Sequence, residues 1–247
     1  MKKTTKTKHY SEIFPATWAG IPSGLLTLLL STFLLFGCLS NSETEPEIII
    51  EPPYSSLIST DTISSGDYKQ FSIGTNAEHT YAAVNLFKEE IGLDYMNVVS
   101  NIYSDLAELE EKLPLYHYIF MDEEKGTSTG VQLGIKEDRI ATIFLGNGEE
   151  LEKWPTDLSQ SAIRKGDEVT TLFDKLKTIS QNDKYKKKFE AINLLTKDLS
   201  KPYDSQMSKS PQWYFGYTLT DNKMDVVKLN FEEGILKNII INHFETY

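Results

Sequence analysis

The chain has 247 residues, enough for one large domain or two small ones, and its 40% hydrophobic and 11% aromatic content excludes a disordered polypeptide. A formal charge of −11 repels phosphate backbones and anionic headgroups, so nucleic acid is excluded as a partner. Basic partners, or neutral ones met through aromatic contacts, remain.

The N-terminus reads as a targeting segment over residues 1–37. Lys2, Lys3, Lys6 and Lys8 make a positive start, and Leu25 to Phe36 is an apolar run of 12 residues broken only by Thr27, Ser31 and Thr32. A bilayer crossing needs about 20 apolar residues, so the run is short for a membrane span and suits a signal segment. It stops at Leu35-Phe36-Gly37-Cys38, which resembles the lipobox of bacterial lipoproteins. That resemblance implies cleavage before Cys38 and diacylation of its thiol, with a lipid bilayer as the first partner. Cys38 is the single cysteine, so no disulfide forms within the chain. Without the leader the balance is 21 basic against 35 acidic residues, or −14. Leu39 is not the Asp that retains many such lipoproteins in the inner membrane, so the expected place is the cell envelope, and the outer membrane in a Gram-negative host.

Residues 38–68 read as a flexible, disordered tether, with Pro46 and Pro52-Pro53 stiffening it. A first α+β unit is expected at 69–153. Thr75 and Glu78 fit a capping box, and Ala77, Tyr81, Val84 and Phe87 recur at helical spacing. A second helix is expected from Tyr95 to Leu113, with Val98 or Val99, Ile102, Tyr103, Leu106 and Leu109 as its stripe. Three strands follow, at 116–120, 131–135 and 140–145, with Glu137-Asp138 as a turn and residues 122–129 as a loop.

A second unit is expected at 159–247. Asp167 is placed as an N-cap, and Val169, Leu172, Phe173, Leu176 and Ile179 as a helical stripe. After the basic run 184–188, a further helix carries Phe189, Ile192, Leu194, Leu195 and Leu199. Three strands close the chain, at 213–219, 226–231 and 235–243. Gly74 and Gly166 stand 92 residues apart, Tyr116 and Trp213 97, and Val131 and Val227 96. Near-constant spacing with matched apolar phase points to one unit used twice. The predicted fold class is α+β: two tandem helix–helix–antiparallel-sheet units.

Ile163-x-Lys165-Gly166, Leu172, Leu176, Trp213-Tyr214 and Val227-x-Leu229-x-Phe231-x-x-Gly234-x-Leu236 resemble the SmpA/OmlA (BamE-like) lipoprotein domain over residues 162–244. The Met-Thr usual after the glycine is replaced by Asp167-Glu168, and the usual Gly-x-Pro by Lys177-Thr178-Ile179. Two such units in tandem resemble the β-lactamase-inhibitor-protein (BLIP-like) architecture. The resemblance implies a protein that acts by binding other proteins, as assembly factor, scaffold or inhibitor.

No residues are assigned to catalysis, and no cofactor or metal. Gly126-Thr127-Ser128-Thr129-Gly130 has the letters of a Gly-x-Ser-x-Gly elbow but leads into the alternating run from Val131 rather than into a helix, and there is no phosphate-binding glycine loop or His-Glu-x-x-His. Asp122-Glu123-Glu124 lacks the ligand spacing of a calcium loop. The expectation is therefore a non-enzymatic, lipid-anchored binder of an envelope protein. The alternatives are an immunity lipoprotein against a toxin and an envelope hydrolase with an unrecognised site. The binding candidates are Tyr116, Tyr118, Trp213, Tyr214 and Tyr217, since both first strands carry large aromatics on two sides and only one side can face a helix. Whether those rows lie open, or are covered by residues such as Trp154, stays undecided by sequence.

Overall fold

The computed structural model describes residues 55–123 and 126–246, all within one compact unit. The expected signal segment, Cys38 and most of the tether lie outside the described residues, as does Glu124. The strands are β1 (Ser55–Ile63), β2 (Asp67–Tyr68), β3 (Phe71–Ser72), β4 (Tyr95–Val98), β5 (Ile102–Tyr103), β6 (Tyr118–Asp122), β7 (Val131–Lys136), β8 (Arg139–Leu145), β9 (Lys153–Trp154), β10 (Ile163–Arg164), β11 (Ala191–Leu194), β12 (Thr196–Asp198), β13 (Gln212–Thr220), β14 (Lys223–Glu232) and β15 (Ile235–Thr246). Two α-helices are present among the described residues, α1 (Ala77–Ile91) and α2 (Leu172–Ser180). Residues 55–63, read as tether, are therefore a strand.

The expected α+β arrangement of two helix–helix–sheet units is overturned: the described chain is mostly antiparallel strand. The second helix expected in each half does not form. Residues 95–113 make β4, β5 and two 3-10 turns at Leu106–Leu109 and Leu113–Leu115. Residues 186–199 make a 3-10 turn, β11 and β12. Both segments carry a period of two beneath the helical one. Met96 and Val98 are buried with Tyr95 exposed, and Ile192 and Leu194 are buried between less buried neighbours. Tyr95, Val98, Val99, Ile102 and Tyr103 are β-branched or aromatic, types that lose rotamer freedom in a helix and pack well on a pleated surface.

Strand order is β1-β15-β14-β13-β4-β12 in a six-stranded sheet and β5-β11-β6-β7-β8 in a five-stranded one, every neighbour antiparallel. The runs 95–103 and 191–198 belong to both sheets and join them. Val98 N–H donates to Leu195 O, and Leu194 N–H to Asn101 O, across the break in each run. His117 N–H to Thr196 O and Leu195 N–H to Tyr118 O carry the ladder on to β6.

The two hairpins form where alternation placed them. Val131, Leu133 and Ile135, and Val227, Leu229 and Phe231, are buried. The tips have both central residues at positive φ, Glu137-Asp138 (52°, 55°) and Glu233-Gly234 (52°, 72°), the geometry whose twist matches paired strands.

Helix α1 buries Ala77, Thr80, Tyr81, Val84 and Phe87 on one stripe. Its cap differs from expectation. Asn76 is the N-cap and accepts from His79 N–H at 2.9 Å, while the Thr75 hydroxyl donates to Ser72 O. In α2 the N-cap is Thr171, because residues 169–171 form a 3-10 turn first. Asp167 instead accepts from Arg164 N–H and Lys175 Nζ.

The halves are interlaced. The ring of Phe87 on α1 packs on Phe215 and Tyr217, and Tyr81 on Trp213, so α1 sits against strands from the far end of the chain. Gly74 N–H donates to Leu236 O, Leu236 N–H to Thr75 O and Ala77 N–H to Gly234 O. The other half repeats this pattern in mirror order: Gly166 N–H to Ile140 O, Ile140 N–H to Asp167 O and Val169 N–H to Asp138 O. Gly74 and Gly166 have φ of 93° and 87°, a conformation that glycine adopts without steric cost.

Candidate functional site

Helices cover one side of the joined sheet. On the other side, the two shared runs and the flanking strands β6, β7 and β13 line a groove of about 550 Å³. Pleating decides what it contains. On β13, Trp213 opposes Leu229 and points into the core, so Tyr214, opposing Lys228, points out. On β6, Ile119 and Met121 are buried, so Tyr118 and Phe120 face the groove. Asn97 from β4, Gln132 from β7, Asn193 from β11 and Thr196 from β12 supply amide and hydroxyl groups, and Val98, Ile102 and Leu195 supply apolar surface.

The five aromatic candidates separate into two sets. Tyr118 and Tyr214 are 41% and 36% exposed and both line the groove. Tyr116, Trp213 and Tyr217 are core residues, which corrects their assignment as binding residues. Trp213 is fully buried, with its ring 4.4 Å from that of Phe231 and its indole N–H donating to Met207 O. Tyr217 packs on Phe87 and its hydroxyl donates to Asp225. Trp154, considered as a cover, packs on Tyr185 and Phe189 instead.

Tyr116 belongs to a buried polar cluster beneath the junction. Its hydroxyl accepts from Asn101 Nδ2 at 2.8 Å and donates to Asp204 at 2.7 Å. Asp204 also accepts from the Tyr103 hydroxyl at 2.6 Å and pairs with Lys112 at 3.2 Å. Burial opposes the carboxylate, but the two phenols, the Gln206 amide and Lys112 outweigh it and hold Asp204 below the usual carboxylate range. Beside it, burial pushes the Lys197 ammonium down to about 8; its Nζ donates to Asp198 O and Lys201 O.

Among the described groove-lining residues the one carboxylate is Asp122, on a chain of charge −11. Asp122 is 2% exposed and already committed: it accepts from the Thr127 amide and hydroxyl and from Lys188 Nζ at 3.2 Å. Burial again works against the charge, and those donors overcome it and lower the pKa. The groove is therefore close to neutral, with aromatic rings and side-chain amides as its chemistry.

Sequence reasoning missed Phe120, Gln132, Asn97 and Asn193. A signal was available in Gly134, a glycine in mid-strand, which marks a close approach. A Cβ there would lie 2.2 Å from Thr142 Oγ1 and 3.3 Å from the Tyr118 ring. A Cβ at Gly130 would lie 2.6 Å from the Phe120 ring. Both aromatic rings thus lie across glycines.

A second cleft, of about 450 Å³, gathers Lys88, Tyr95, His117, Asp198 and Ser200. Here the Ser200 hydroxyl donates to Asp198 at 2.6 Å, and His117 Nδ1 donates to Ile135 O. His117 Nε2 lies 3.8 Å from Asp198. The hydroxyl is thus bound to the carboxylate and not to the imidazole, an arrangement that does not activate it as a nucleophile. Among the described residues, no group of three His, Cys, Asp or Glu is placed to hold a metal. No described helix is long and apolar enough to cross a membrane.

Compared with known proteins, the chain matches no family model, no curated protein and no solved structure.

Proposed function

We propose that this chain is a lipid-anchored protein of the cell envelope that binds another protein, as scaffold, assembly factor or inhibitor, without chemistry of its own. The anchor is Cys38, on the strength of Leu35 to Gly37 before it. The resemblance of residues 162–244 to SmpA/OmlA lipoproteins, which act by binding, supports the same reading. The observation that carries it is the joint exposure of Tyr118 and Tyr214 in one groove on the uncovered side of the sheet. Tyrosine supplies large contact area at low entropic cost and is enriched in binding hot spots.

The neutrality of the groove specifies the contact. A partner seated there meets aromatic and amide groups, so affinity rests on packing and hydrogen bonds rather than on the acidity of the chain. The test is affinity purification from detergent-solubilised envelope, followed by titration of the purified partner. Tyr214→Ala and Tyr118→Ala are each expected to weaken binding by about 2 kcal/mol or more. Raising salt from about 0.1 to 0.5 M is expected to change affinity little, because charge screening acts on ion pairs. Unchanged affinity in both variants moves the binding site elsewhere. For the anchor, Cys38→Ser is expected to abolish membrane fractionation, and a variant that still fractionates with membranes refutes the lipoprotein reading.

A further inference from the structure

His243 on β15 stands between carboxylates on the two neighbouring strands. Its Nδ1 is 2.6 Å from Asp225 Oδ1 on β14, and its Nε2 is 3.4 Å from Asp61 Oδ2 on β1. Asp225 is buried and also accepts from the Tyr217 hydroxyl on β13, itself in contact with Tyr68. Asp61 is open to solvent. These two carboxylates are the charged groups that bear on the ring from the elements packed around it.

β1 is attached unlike any other long strand. It forms one edge of its sheet and pairs with β15 alone. Every side chain from Leu57 to Thr62 is exposed, and Ile63 alone packs against the core. The register slips at Ile58, between Leu57 and Ser59. Besides the backbone ladder, side chains tie β1 to β15 at Ser55 to Thr246, Thr60 to Asn242 and Asp61 to His243. A strand without apolar burial opens at low free energy, so even a single exposed charged tie shifts how often it opens.

The imidazole has one proton fewer than it has acceptors once it is neutral. As imidazolium it donates to both carboxylates. On losing a proton it keeps one N–H, and the nearer, buried Asp225 retains it at Nδ1, since a buried carboxylate without a donor is the costlier one to leave. Nε2 then turns a lone pair towards Asp61, and the tie to β1 is the one that breaks.

We propose that His243 is a proton-operated fastening for β1: protonated, it pins the strand to the sheet, and deprotonated, it lets the strand leave and bares the edge of β15. The hydrogen bond to Asp225, against the opposing effect of burial, together with the charges of Asp225 and Asp61, raises the His243 pKa above its ordinary value. A raised folded-state value means that the fastening is complete below about 6.5, the unfolded pKa, and is lost as pH rises through the folded one.

The test is hydrogen exchange by mass spectrometry on the full chain in detergent, at about pH 5.5 and about pH 8, with rates corrected for intrinsic exchange. Peptides over 55–63 are compared with peptides over 226–231 in the same sample. Protection of β1 is expected to fall about fivefold at the higher pH, the upper range for an exposed ion pair, while β14 is unchanged. Asp61→Asn, on an exposed side chain, is expected to remove the pH dependence of β1 without touching β14, and His243→Gln to do the same. Protection of β1 that is equal at both pH values in the unmodified chain overturns the proposal. So does an Asp61→Asn variant with the original pH dependence.

Discussion

Trp213 and Tyr214 are adjacent on β13 and end in opposite surroundings. The first is sealed between the sheet and α1; the second lies on the open side, in the groove. β6 makes the same division, with Ile119 inside and Tyr118 outside. The two faces of the joined sheet draw on the same residue types, and a step of one residue converts a core aromatic into a candidate contact residue. The covered face is held by interdigitated rings and buried hydrogen bonds. The open face leaves Tyr118 and Tyr214 without such a cover.

That contrast makes measurable claims. The largest effect is expected at Trp213→Ala, which should cost about 3–5 kcal/mol in chemical denaturation through lost burial and the cavity left behind; a loss below about 1 kcal/mol would place Trp213 outside the core. Next is Tyr116→Phe, which keeps the ring but deprives buried Asp204 of one donor and Asn101 of one of its two acceptors. A loss of about 1–3 kcal/mol is expected. The same cluster responds to acid. Asp204 is held below its usual range, so its contribution is present above about 3.9, the unfolded value, and is lost as pH falls through the lower folded one. Tyr116→Phe should weaken that hold, so its acid-unfolding midpoint is expected at higher pH than that of the unmodified chain. The smallest effect belongs to the open face: Tyr214→Ala should alter stability by only about 0.5 kcal/mol. A large loss there would mean that the two faces do not differ in the way described.

Part of this was legible in the sequence. Alternation in Val131-Gln132-Leu133 and Val227-Lys228-Leu229 located both hairpins, and helical spacing located α1. The side each aromatic takes was also within reach: pairing Trp213 with Leu229 puts both in one row, and Tyr214 with Lys228 in the other. The groove was not legible. Its amides, Asn97 and Asn193, lie on segments whose apolar residues satisfy helical and strand periods at once, and tertiary pairing chose the strand. The buried cluster was equally hidden, because Tyr103, Tyr116 and Asp204 come together only when the 3-10 turns and β6 close on the junction.

The exchange of helices between halves has a consequence in time as well as in space. The seat of α1 is completed by Gly234 and Leu236, and the entry to α2 is fixed by Asp138 and Ile140. A growing chain therefore cannot finish its first half and move on. The amphipathic helix at 77–91 must wait, with its stripe uncovered, until almost the last strand has been made. Closing such distant contacts slows folding, and neither half is a stopping point on the way. A product truncated near residue 150 should be recognised as unfinished, since the surface that would cover its helix has not yet been written.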